Sequence, residues 1–191
     1  MITMAISIRK LSIPDLIVVQ PKRFGDSRGY FEETWNRRDF LTAGIAVDFV
    51  QDNHSLSEAK GTLRGMHFQT PPSAQDKLVR CTKGAIYDVA VDIRRGSPTY
   101  GAWAGVELSA QTGEQLFVPK GFAHGFVTLE PHTEVQYKCS DYYDPACDRS
   151  IRCDSLNIDW PLPVAPIISE KDAAAPPFDA LMSPFDFGSD Q

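Results

Sequence analysis

Residues 85–93, AIYDVAVDI, limit the fold of this chain more than any other stretch. They alternate without a break, with Tyr87, Val89, Val91 and Ile93 on one face and Ile86, Asp88, Ala90 and Asp92 on the other. A helix repeats its faces about every 3.6 residues and cannot carry such a pattern, so the stretch is a strand. Shorter β-type runs follow at 16–20, 30–35, 47–51, 77–81, 103–109, 115–118, 124–129 and 133–140, parted by turn clusters such as RRGSPTYG and SAQTGE. Many short strands with little helical periodicity between them predict a sandwich or barrel. Two short helices are expected. Asn36 can cap RRDFLTA, which Gly44 stops, and SEKD at 169–172 fits a capping box in which Asp172 would serve only as a cap. PKRFGDSRG reads as a loop through Gly25, Asp26 and Gly29, and the Pro-rich segment from Asp144 onward reads as irregular chain draped over the β core.

With 191 residues, 42% hydrophobic and 23% charged, the chain can bury one sizeable core. We therefore expect a single domain over 1–191, with 1–15 and 180–191 as peripheral tails. A net charge of −6 leaves no basic surplus to attract nucleic acid or an acidic membrane, so any phosphate site must be local. The start, MITMAISIRKLSI, lacks the apolar core of a signal peptide, and no run approaches the roughly 20 apolar residues of a membrane span, so the protein is expected in the cytoplasm. Cys81, Cys139, Cys147 and Cys153 show no C-x-x-C spacing, which argues against a zinc site, and that compartment argues against disulfides.

The chemistry concentrates in GTLRGMHFQ at 61–69. Arg64 is a fixed cation and His67 exchanges a proton near neutral pH, a pair suited to a phosphorylated substrate undergoing acid/base chemistry. A histidine in a strand can equally be a satisfied core residue. Arg64 and His67 are an odd number apart, so a regular strand would send them to opposite faces; a β-bulge at Gly65 would bring both inward. Further on, GEQLFVPKGFAH at 113–124 resembles the second motif of the cupin superfamily, a turn, a strand and a Pro-Gly corner that points His124 into a barrel. The metal-binding first motif is not met, because Phe68 and Gln69 follow His67 where a second imidazole would be needed. No metal and no cofactor is expected.

Taken in order, QDNHS, LRGMHFQ, KLVRC, YDVAVDIRRGSPTYG, PKGFAHGF, QYKCSDYYDP and SEKD make the chain similar, from about residue 16 to 178, to the dTDP-4-dehydrorhamnose 3,5-epimerase family. That resemblance implies an all-β cupin jelly roll (double-stranded β-helix), a nucleotide-sugar substrate, and a homodimer with exchanged N-terminal strands. It also implies His67 as general base, Asp172 as the carboxylate that orients it, Tyr137 as general acid and Lys77 at the sugar's 4-oxygen. Arg64 and His124 match substrate contacts, and Gln51 and Asn53 match polar contacts to the nucleotide sugar. Lys22, Arg23, Arg28, Asp148 and Lys171 complete the substrate-binding candidates; Lys22 and Ser27 stand where an arginine and a glutamate are common, and Asp148 where a glutamate is.

Residue types alone lead to the same reaction. Epimerising carbons beside a ketone needs a base, a cation to hold the enolate and an acid on the opposite face, roles that His67, Lys77 and Tyr137 can fill. Rival readings place Tyr137 in the core with Val135 and Cys139, and put Lys138 in the role of Lys77. Two functional alternatives stand beside the 3,5-epimerase: an epimerase acting at one carbon or on a CDP- or GDP-linked sugar, and a non-catalytic sugar-binding cupin.

Overall fold

The alternating stretch lies inside one of the two large antiparallel sheets in the computed structural model, which describes residues 6–162 and 164–188. A five-stranded sheet runs in the order β13 (Asp148–Ser150), β6 (Leu63–Gln69), β11 (Phe122–Thr128), β8 (Ala85–Asp92), β9 (Trp103–Ser109). A six-stranded sheet runs β1 (Ile6–Lys10), β2 (Ile17–Pro21), β10 (Gln115–Val118), β7 (Lys77–Lys83), β12 (Thr133–Cys139), β5 (Gln51–Ser57). The two stack into the expected all-β jelly roll.

Three apolar clusters follow from strand alternation. Val18, Val79, Leu116 and Val135 from one sheet meet Ile86, Ala90, Phe122 and Phe126 from the other, which closes most of the space between them. The opposite phase of β8 points outward: Val89, Val91 and Ile93 pack with Met66 beneath Ile151, Leu156, Ile158 and Phe185 of the C-terminal segment, which does drape over the core. On the far side, Phe40 and Ile45 cover Val19, Leu78 and Phe117. Each such fully buried aliphatic contributes about 1.5–3 kcal/mol. No helix among the described residues is long and apolar enough to cross a membrane.

Both helices appear where their caps predict them. Asn36 accepts from the N–H groups of Arg38 and Asp39 at the start of α1 (Arg37–Thr42), and Ser169 accepts from Asp172 N–H at the start of α2 (Glu170–Ala173). Other boundaries differ. The strand expected at 47–51 is instead β5, beginning where that run ends: Val47 and Phe49 pack on the outer cluster, while QDNHSLS has polar residues on the face that would ordinarily announce a strand by being apolar. The loop expected at 21–29 is a hairpin of β3 (Arg23–Asp26) and β4 (Gly29–Glu32), its turn closed by Arg28 N–H donating to Asp26 (2.8 Å). The supposed tails are also built in, apart from the ends outside the described residues. β1 pairs with β2, Ile13 joins the inner core, Asp15 bonds Arg94 (2.8 Å), and Phe185 is buried with its carbonyl accepting from Arg95 N–H.

Candidate active site

β6 and β11 fall out of step in mid-strand: His67 lies opposite His124 but Arg64 opposite Phe126, so the same interval takes one more residue on β6. That is the bulge expected at Gly65, and it puts Leu63, Met66 and Phe68 on the outer cluster while Arg64 and His67 both face the space between the sheets. Gly65 adopts φ +138°, and a Cβ there would sit 2.5 Å from Gly125 Cα; a Cβ on Gly125 would in turn meet Arg64 O at 2.8 Å. Only two facing glycines permit this approach. The segment leading to α2 docks alongside, with Leu63 N–H donating to Ile167 O and Ile167 N–H to Gly61 O, both 2.8 Å. Asp172 then reaches both products of the bulge: its Oδ1 meets His67 Nε2 at 2.6 Å and its Oδ2 accepts the freed Gly65 N–H at 3.4 Å. The helix cap is supplied by Ser169, so Asp172 is not the simple cap that the SEKD pattern allowed.

A cavity of about 470 Å³ opens here, lined by Arg64, His67, Lys77, His124, Tyr137, Lys171 and Asp172 among others. His67 belongs to the five-stranded sheet, whereas Tyr137 on β12 and Lys77 on β7 belong to the six-stranded one, so base and acid candidates come from facing walls. Burial pushes the Asp172 carboxyl up, but the His67 hydrogen bond and charge, with donors from Gly65 and Ser169, hold it below the usual carboxylate value. Burial raises the Tyr137 phenol, which keeps it protonated at neutral pH, and the same cause lowers the Lys77 ammonium, opposed by Cys139, Asp88 and Asp148. Arg64 is clamped by Ser57 Oγ (3.1 Å) and Leu56 O (3.0 Å). Among the described residues no three His, Cys, Asp or Glu side chains converge as a metal set.

The other candidates divide. Lys171 lines the mouth and bonds Asp148 Oδ2 at 2.6 Å, where the Tyr143 hydroxyl also donates (3.3 Å). Gln51 and Asn53 face inward from β5 but do not line this cavity; Gln51 accepts from Tyr143 N–H (2.9 Å) and donates to Asn53 (3.1 Å), which donates to Cys139 Sγ (3.5 Å). Lys22, Arg23 and Arg28 are not brought to the cavity of their own chain. Arg23 holds Glu32 (2.8 Å) and the Tyr30 ring (3.8 Å to its centroid), Lys22 lies over Phe24 and Arg28 pairs with Asp26. Lys138, the rival of Lys77, points to the outer face and pairs with Asp52 (3.0 Å). Sequence reasoning missed Asp88, fully buried, whose Oδ1 meets His124 Nε2 at 2.8 Å while Oδ2 has no partner. The signal was available, since an acid stood in the inward phase of the alternating strand. It also missed Ser57 and Ser55, whose buried hydroxyl has no partner in the cavity wall.

A family model described as dTDP-4-dehydrorhamnose 3,5-epimerase matches residues 10–180. The Salmonella typhimurium protein of that name is 51% identical over 176 residues, covering 91% of this chain and 96% of its own. A Bacillus anthracis dTDP-4-dehydrorhamnose 3,5-epimerase, solved with TDP and PPi bound, superposes with a TM-score of 0.88 at 46% identity and covers 91% of this chain and 99% of its own. A Legionella pneumophila dTDP-6-deoxy-D-glucose-3,5-epimerase, solved in complex with dTDP-4-keto-L-rhamnose, also scores 0.88 at 45% identity, covering 92% of this chain and 94% of its own. With the family model matched along nearly the whole chain and relatives about half identical over the same span, the protein belongs to the dTDP-4-dehydrorhamnose 3,5-epimerase family.

Proposed function

We propose that this chain converts dTDP-4-dehydro-6-deoxy-D-glucose to dTDP-4-dehydro-L-rhamnose by moving protons at C3 and C5, the carbons beside the C4 ketone. The observation that carries the reading is that His67, backed by Asp172 of α2, stands on one sheet and Tyr137 on the facing sheet. Inversion needs removal of a proton from one face and its return from the other, and the two walls of the sandwich supply one group each. Asp172 accepts the Nε2–H of His67, which leaves the lone pair on Nδ1 to take the α-proton and stabilises the imidazolium that forms. Lys77 neutralises the enolate at the 4-oxygen, and its lowered ammonium can share a proton there. Tyr137 delivers the new proton. Arg64, its guanidinium fixed by β5, supplies the cation for the diphosphate that the acidic chain otherwise lacks.

We infer a homodimer acting in the cytoplasm. Among the described residues β1 is bonded on one side only, at the edge of the six-stranded sheet, and four free, buried thiols suit a reducing compartment. Light scattering that gave the mass of one chain would rule the dimer out.

Deuterium wash-in tests the division of labour. His67→Ala should abolish both exchange of the α-protons and epimerisation. Tyr137→Phe keeps the ring and should leave wash-in measurable while inversion slows by at least about 10²-fold. Equal losses of both in Tyr137→Phe would make Tyr137 a binding or packing residue, and exchange at one carbon alone would mark a single-carbon epimerase.

A further inference from the structure

The carboxylate that orients His67 rides on a helix that cannot hold itself in place. α2 is only four residues long, far below the length at which a helix is stable alone, so its position is set by what ties it to the sheet. Behind it, Ile167 bridges to β6. In front, Asp172 makes the contacts to His67 and Gly65 that the helix must be held steady to make. The remaining side-chain tie is Lys171, whose ammonium bonds Asp148 Oδ2 at 2.6 Å. Asp148 is itself well placed as an anchor. It belongs to β13, which pairs with β6 so that Asp148 lies opposite Gln69 and Ser150 opposite His67, and the Tyr143 hydroxyl donates to the same carboxylate oxygen. Its side chain is only 16% exposed. One strand pair therefore carries both ends of the arrangement: β6 presents His67 and β13 presents the group that fixes the helix bearing its partner.

We propose that Asp148 is a positioning residue for the His67–Asp172 pair, acting through Lys171 and α2. This goes beyond the reaction proposed above, which uses Asp148 in no step, and beyond the substrate contact that the family resemblance implied for it, and rests on that reaction only for the importance of the pair. An ion pair with one end half in water adds little stability, so its value here is geometric. A misplacement of the order of an ångström at a reacting group costs up to about 10²-fold in rate.

The test compares Asp148→Asn, which keeps the shape and removes the charge, with Asp148→Glu, which restores it. In Asp148→Asn, kcat should fall about tenfold. The low-field Nε2–H proton of His67 seen by NMR should broaden or move upfield, and Asp148→Glu should recover both. In an Asp172→Asn background, Asp148→Asn should add no further loss, because its effect passes through the group already removed. An unchanged His67 proton in Asp148→Asn overturns the proposal, as does an additive loss of kcat in the double variant. The NMR signal needs no turnover, so it decides this inference even if Asp172→Asn proves fully active, a result that would instead defeat the proposed role of the pair in catalysis.

Discussion

At the scale of the residue, Asp172 shows how one side chain acquires its function from its surroundings. The same carboxylate in water would be an ordinary surface acid. Here burial pushes it up, and the hydrogen bonds and charge of His67, Gly65 and Ser169 more than offset that push. Its folded-state pKa is thus depressed, and the linkage has a definite sign. The stabilisation is fully present above the unfolded value, near 4, and is lost as pH falls through the depressed folded value. Asp172→Asn should therefore flatten the loss of stability below about pH 4, measured by urea unfolding from pH 3 to 7. A variant with the same acid sensitivity as the parent would show that the carboxylate is not held in this state. Tyr137 illustrates the opposite case: burial, helped by Cys139 and Asp148 and opposed by Arg64, raises it and so keeps the phenol proton in place until a strong base arrives.

At the scale of the element, the bulge in β6 decides whether there is a site. Without its extra residue, Arg64 and His67 would face opposite ways, and the Gly65 N–H that Asp172 accepts would return to the ladder. Gly65→Ala asks an L-residue to adopt φ +138° with its Cβ 2.5 Å from Gly125 Cα and 3.0 Å from His124 O. We expect a loss of more than about 1–3 kcal/mol together with nearly all activity. Gly96→Ala sets the comparison, because Gly96 is also left-handed (φ +77°) but a Cβ there meets nothing within 4 Å. Its cost should be about 1–2 kcal/mol with activity intact. Thermal melting and turnover of the two variants, side by side, separate backbone strain from the collision; similar melting points and activities would mean that the close approach of β6 and β11 is dispensable. The polar face of β5 belongs at this scale too. Gln51, Asn53, Ser55 and Ser57 give no apolar alternation because they line the interior near the site, and for that reason pattern reading began the strand too early.

At the scale of the whole molecule, the jelly roll brings two sheets together and leaves polar side chains between them at one end of an otherwise apolar interior. Both imidazoles there are committed through Nε2 to a carboxylate, His67 to Asp172 and His124 to Asp88. With the ligating groups paired off, no third joins them among the described residues. Prolonged dialysis against chelator should leave turnover unchanged. Activity that disappeared and returned with a single added metal would replace the proton-transfer scheme with a metal-assisted one.

The sequence by itself determined several strands, because short β-type runs bounded by turn clusters mark extended chain even where both faces are buried, as on β8 and β10: β8, β9, β10 and β12 lie where the pattern put them. It also determined both helix starts, since a cap is a local hydrogen bond, and the bulge, since Gly65 stood between two residues that had to share a face. Arg64 and His67 were legible as candidates from residue type, and His124, Tyr137, Lys77 and Asp172 through the likeness to known families. Only the tertiary structure decided which of them meet. The Asp172–His67 contact joins residues 105 apart in sequence and the Asp88–His124 contact residues 36 apart. Such contacts depend on how β6, β8, β11 and α2 are stacked, and no local pattern encodes that stacking. The same holds for the charges of 22–28: the family likeness offered them as substrate contacts, but within their own chain the pairing of β3 with β4 sets Arg23 against Glu32, the turn sets Arg28 against Asp26, and neither arginine lines the cavity.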